Sequence, residues 1–112
     1  MIVEHRTYTL KAGALPEYFR HYESEGLPIQ RRYLPAMVGY YSTEIGPLNQ
    51  VIHMWAYRSY EERTLCRNAM RGDPGWAPYL SKIHPLIVAM ENKILTPASF
   101  LDLTPFFRKD PI

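Results

Sequence analysis

The sequence predicts an α+β fold, a ferredoxin-like plait in the order βαββαβ. A four-stranded antiparallel sheet would carry its helices on one face. Three observations predict it. Four runs of branched and aromatic residues alternate with period two: Ile2–Leu10, Met37–Ile45, 51–57 and Leu86–Leu95. Two stretches between them show helical spacing. Each half reads strand, helix, strand over a similar length, so the second half roughly repeats the first.

The first strand alternates Ile2, Glu4, Arg6, Tyr8 and Leu10 against Val3, His5, Thr7 and Thr9, and Lys11-Ala12-Gly13 breaks it. Leu15, Tyr18, Phe19 and Tyr22, with Pro16 near the start, give an amphipathic helix. Gly26 is placed to cap it, and Leu27–Leu34 continues as a second helical segment after a kink, closed by Pro35. Gly46-Pro47-Leu48-Asn49 supplies turn chemistry joining the second and third strands as a hairpin. Ser59 and Glu62 form a capping box for a helix running to about Arg71. Asp73 is placed as the next N-cap with Pro74 at the first helical position, ahead of Trp76, Tyr79, Leu80 and Ile83 at helical spacing. His84-Pro85 leads to the fourth strand, and Thr96-Pro97 ends it. Residues 1–97 thus read as the domain, and 98–112 as a Phe-rich arm packing on the domain or clasping a dimer partner.

A chain of 112 residues suffices for one core. A formal charge of +2 without a polybasic run excludes a nucleic-acid partner from the expectations. One cysteine, Cys66, leaves no intrachain disulfide or cysteine metal cluster and favours a reducing compartment. No window approaches the ~20 apolar residues of a membrane helix. The N-terminus lacks a signal or transit pattern. The expectation is a cytoplasmic protein without membrane contact.

On the third strand His53, Trp55 and Tyr57 point one way and Ile52, Met54 and Ala56 the other. The expectation is that the Ile52 face meets the helices. Helices cover only one sheet face, and the other still carries aromatics, for which water is a poor partner, so pairing two sheets predicts a homodimer with a barrel-like core.

Candidate catalytic residues are His53, Arg6 and Tyr8. An imidazole titrates near working pH and suits a general base. Glu4, Arg6 and Tyr8 share one strand face, where Arg6 and Tyr8 would steady a developing oxyanion; the competing reading is an ion pair with cross-strand packing that sets the dimer register. His5, His21 and His84 show no ligand spacing with His53, so neither a metal site nor a cofactor is expected. Tyr41, Trp55, Trp76 and Tyr79 are candidates for an aromatic cavity binding a small, largely apolar or aromatic ligand, with Trp76 and Tyr79 as its lid. Arg63, Arg67 and Arg71, four apart, read as a solvated helix face.

The blocks Glu4-His5-Arg6-Thr7-Tyr8-Thr9-Leu10-Lys11-Ala12-Gly13 and Thr43-Glu44-Ile45-Gly46-Pro47-Leu48-Asn49-Gln50-Val51-Ile52-His53-Met54-Trp55-Ala56-Tyr57 resemble the NIPSNAP family, with continuation through Arg63, Arg67, Trp76 and Tyr79 to Met90-Glu91. The resemblance implies the dimeric α/β-barrel superfamily, in agreement with the plait. It carries no catalytic set. The superfamily includes cofactor-independent monooxygenases, haem-handling enzymes and isomerases, so fold analogy leaves the chemistry open. The functional expectation is a small-molecule binding protein. The alternatives are a cofactor-independent monooxygenase or isomerase with His53 as base, and an interaction module using the Phe-rich arm.

Overall fold

The computed structural model describes residues 1–109. Strand β1 (Ile2–Leu10) is followed by a helical run in three parts: α1 (Leu15–His21), a wide π-helical turn (Tyr22–Gly26) and α2 (Leu27–Tyr33). Strands β2 (Met37–Ser42) and β3 (Gln50–Tyr57) form the hairpin. Helices α3 (Tyr60–Arg71) and α4 (Trp76–Ile83) then lead through a 3-10 turn to β4 (Ile87–Leu95). The sheet order is β2-β3-β1-β4, with every neighbouring pair antiparallel, and this is the ferredoxin-like plait. Strand β1 lies at its centre, so side chains on both of its faces are drawn out of water.

Register decides which side chains share a face. Glu4 lies opposite Trp55, Arg6 opposite His53 and Tyr8 opposite Val51. Ile2, Trp55 and Tyr57 pack with Ile29, Leu34, Cys66 and Met70 of the helical layer. The face under the helices is therefore that of His53, Trp55 and Tyr57, which reverses the expectation for Ile52. Large rings bury the most apolar area, and the thick helical layer is where that area is removed from water. The opposite face is covered at one end by the chain's own tail. Leu103 and Phe107 pack on Val3, Ala36 and Ala56, and Ala36 bridges to Phe107. The last three residues of the arm, 110–112, lie outside the described residues.

Several local expectations change with the structure. Gly26 does not end a helix: it stays in the right-handed helical region and the backbone runs on through the wide turn. Pro28 explains why. Proline lacks an N–H and its ring crowds the carbonyl four residues back, so widening the preceding turn keeps the helix continuous. A Cβ on Gly26 would stand 2.5 Å from the Tyr79 ring, so a close approach selects glycine there. Helix α4 is capped at Gly75 instead of Asp73; Asp73 Oδ1 accepts from Gly75 N–H at 2.8 Å, one turn ahead of the helix. Asp73 Oδ2 takes Arg32 at 2.8 Å and Tyr33 at 2.9 Å, tying α2 to this loop. Ser59 does cap α3, accepting from Glu62 N–H at 3.0 Å, while the Glu62 carboxylate reaches back to Arg58 N–H at 2.9 Å. Strand β2 ends at Ser42, and a loop of residues 43–49 replaces a tight turn, with Gly46 (φ 127°) and Asn49 (φ 65°) in left-handed backbone.

Candidate functional site

The site grows from a single buried charge. Glu4 is the third residue of β1, an interior strand, on the helix side and with 0% exposure. Its Oε2 accepts from Arg63 Nη2 at 2.5 Å and Nε at 3.0 Å, from Asn92 Nδ2 at 2.8 Å and from Arg6 Nη1 at 3.2 Å. Arg67 Nη1 lies 3.8 Å from Oε1. One carboxylate thus faces three guanidinium groups, drawn from β1 and α3, and the cluster carries excess positive charge. Helix α3 can deliver Arg63 and Arg67 because both lie on its inward stripe with the buried Cys66 and Met70, at the i, i+3, i+4, i+7 spacing. The reading of Arg63, Arg67 and Arg71 as a solvated face holds only for Arg71, which is exposed and bonds Asn68 at 3.1 Å.

The electrostatics follow from that excess. Burial pushes the Glu4 carboxyl up, but bonds from Arg63 and Asn92 and the charges of Arg67 and Arg6 outweigh it and hold its pKa below the usual range. Burial, then the neighbouring charge of Arg6, holds Arg67 below the usual arginine value, with Glu4 only partly offsetting them. Arg6 stays firmly charged: against its burial work Tyr8, whose hydroxyl accepts from Arg6 Nε at 3.0 Å, and Glu4. Two atoms of the cluster are buried without a hydrogen-bond partner among the described residues, Glu4 Oε1 and Arg67 Nε. An unmet acceptor beside an unmet donor is costly in a protein interior, and such pairs ordinarily have a water or ligand between them.

Beside the cluster lies a cavity of about 150 Å³ between sheet and helices. Arg6, Tyr8, Trp55 and Met90 come from the sheet side, and Gln30, Arg67, Arg71, Trp76, Leu80 and His84 close it from the other. The sequence candidates divide accordingly. Arg6, Tyr8, Trp55 and Trp76 come together at this cavity. Tyr79 is buried against Tyr22 and Trp76 outside the cavity's lining. Tyr41 pairs with Ile52 on the opposite sheet face, 54% exposed, and cannot share a cavity with Trp55.

His53 is 1% exposed, stacked on Tyr40 at 4.6 Å and edge-on to Tyr8 at 4.9 Å. Its Nδ1 accepts from Trp55 Nε1 at 2.8 Å. An indole nitrogen can only donate, so Nδ1 carries no proton and the neutral ring bears its hydrogen on Nε2. Burial, then the charge of Arg6, pushes its pKa down to about 3. A neutral ring with its one lone pair committed has nothing left to take a proton. The expectation of a base at His53 does not fit this geometry; what it offers is an unpartnered Nε2 donor.

Sequence reasoning missed Arg63, Arg67 and Asn92 as partners of Glu4. The signal for the arginines was present: they alternate with Cys66 and Met70 on one helical stripe, and a solvated stripe would not include that apolar pair. Asn92 has no comparable signal, since its role comes from strand register alone.

An antiparallel β2-β3-β1-β4 sheet under one helical layer, with a charged site between them, is a ferredoxin-like α+β architecture. A Nitrosomonas europaea protein described as an antibiotic biosynthesis monooxygenase has the same fold, at TM-score 0.64 and 10% identity over 87% of this chain and 98% of that one. At that identity the likeness shows the fold alone. The NIPSNAP family model matches residues 3–102, and the chain belongs to the NIPSNAP family. A NIPSNAP family protein from Agrobacterium tumefaciens is 46% identical over 92% of this chain and 93% of its own, at TM-score 0.87. The Dictyostelium discoideum NipSnap homolog is 32% identical over 84% of this chain. This chain spans 41% of that protein's length and 34% of the mouse NipSnap homolog 2. No helix among the described residues is long and apolar enough to cross a membrane.

Proposed function

We propose that the protein binds a small molecule, one ring in size and carrying an anionic group such as a carboxylate or enolate, in the cavity between sheet and helices. The observation that carries the reading is Arg67: half-buried, no closer than 3.8 Å to a carboxylate oxygen, and lining the cavity. An anion there would relieve the excess positive charge. Trp55 and Trp76 would hold the flat body, and the Tyr8 hydroxyl on the same wall marks its polar end. Volume limits the size, since about 150 Å³ accommodates a benzene-sized guest and is far too small for a haem. The test is titration with benzoate and benzamide, read by tryptophan fluorescence and calorimetry. Benzoate should bind, benzamide should not, and Arg67→Met should weaken benzoate about tenfold or more. Equal affinity for acid and amide refutes the reading.

The homodimer belongs to the same proposal. Ile52 and Met54 are half-buried and Tyr41 is exposed on the sheet face away from the helices, with the tail covering only one end. Two such faces would bury each other. Light scattering should give twice the chain mass, with Ile52→Asp shifting the protein towards monomer; a monomeric wild type refutes it.

A further inference from the structure

We infer that the groove beside the wide helical turn Tyr22–Gly26 is a second binding site, for an amphipathic monoanion: a carboxylate on an aromatic ring or short apolar chain. The groove has a volume of about 440 Å³, within the ordinary range for ligand sites. Its floor is apolar, with Phe19, Tyr22 and Leu27 from the helical run and Met37 and Tyr40 from the edge strand. The wide turn contributes Tyr22 and Glu23 to its lining.

The chemistry of the occupant follows from the rim. Arg20 and Arg31 both line the groove, and neither guanidinium makes an ion pair or hydrogen bond among the described residues. Their backbone carbonyls are engaged instead, by Ser24 Oγ at 2.9 Å and by Arg108. Elsewhere in the chain arginines find partners: Arg58 takes Glu62 and Arg32 takes Asp73. Two free guanidinium groups over an aromatic floor fit a carboxylate head with an apolar body. Glu23 on the same rim lowers the local charge to about one positive unit, which favours a monoanion over a phosphate or other dianion. Tyr40 couples the floor to the interior, since it bonds Tyr18 at 2.7 Å and stacks on His53.

This site stands independently of the inner cavity. It shares no lining residue with that cavity, so the two occupancies can be read separately. The experiment is a ¹H–¹⁵N NMR titration of the full chain with 3-phenylpropionate, its amide serving as the neutral control. Saturable shifts are expected at the amides of Phe19, Leu27, Met37 and Tyr40, with a midpoint that Arg67→Met leaves unchanged even where Arg67 and Trp76 also respond. The amide control should leave them unmoved. Arg31→Gln, an exposed change that spares the core, should weaken binding about tenfold. Three results would overturn the inference: no saturable shift at the floor, equal binding of the amide, or shifts confined to Arg67 and Trp76. A groove closed by a second copy of the chain would give the first of these.

Discussion

Replacing Glu4 by Gln removes the one negative charge from a cluster that otherwise holds Arg6, Arg63 and Arg67. The side chain keeps its shape, so packing is nearly unchanged and the effect is electrostatic. Arg63 is then left with a neutral amide oxygen where it had a short charge-assisted contact at 2.5 Å. The amide nitrogen, if turned toward Arg67, presents a donor to a donor. Removing one partner of a buried ion pair costs about 3–5 kcal/mol, because the remaining charge stays buried without compensation. For a domain near 100 residues each kcal/mol moves Tm by roughly 4–8 °C, so Glu4→Gln should melt at least about 12 °C below wild type.

The pH dependence provides a second, independent readout. Folding holds the Glu4 pKa below its unfolded value, so its stabilisation is complete above about pH 4.5 and is lost as pH falls through the lower folded value. Glu4→Gln should therefore reduce the slope of stability below about pH 4.5 while lowering stability at neutral pH. Asp73, held low by the Gly75 N–H and by Tyr33 and Arg32, keeps part of that slope in the variant. Urea denaturation at pH 7 and at pH 3 measures both effects. A variant within 2 °C of wild type at neutral pH, with the same acid slope, refutes Glu4 as the electrostatic centre of the fold.

His53 should show no imidazole titration between pH 5 and pH 8 by NMR and should report the Nε2–H tautomer, because its pKa is pushed down to about 3. Its folded pKa lies below the unfolded one, so stability from this group is present above about pH 6.5 and declines as pH falls towards 3; a midpoint near 6.5 in the folded protein contradicts the buried, committed ring. Gly26→Ala should destabilise by about 1–3 kcal/mol through the clash with Tyr79, against the usual gain for alanine in a helix, and a stabilised variant would rule out the close approach.

The types of the elements and their order along the chain were legible because they rest on local periodicity, which β1, β3 and α3 obey. The sheet face was not, and the reason lies in β3 itself. Ile52, Met54 and Ala56 form the more uniformly apolar set, so hydropathy alone assigns them inward. What decides is area: His53, Trp55 and Tyr57 are larger, and the indole tip finds its partner under the helices by donating to His53. The wide turn was legible only as a kink at Gly26 and Pro28, since no composition rule separates a bent helix from one that absorbs an extra residue.

Why a polar cluster persists in so small a core is a question of alternatives. A Leu at position 4 with an apolar residue at 63 would pack the same space without any desolvation cost, and such replacements are often neutral or stabilising. The arrangement here goes further from that optimum than packing needs, since Arg67 is drawn in beside two other guanidinium groups and its Nε is left without a partner. A purely structural ion pair would be satisfied by Arg63 alone, which already supplies two donors to Oε2. The surplus charge is directed at the cavity that Arg6 and Arg67 line, so the stability forgone is concentrated where a negatively charged guest would restore it.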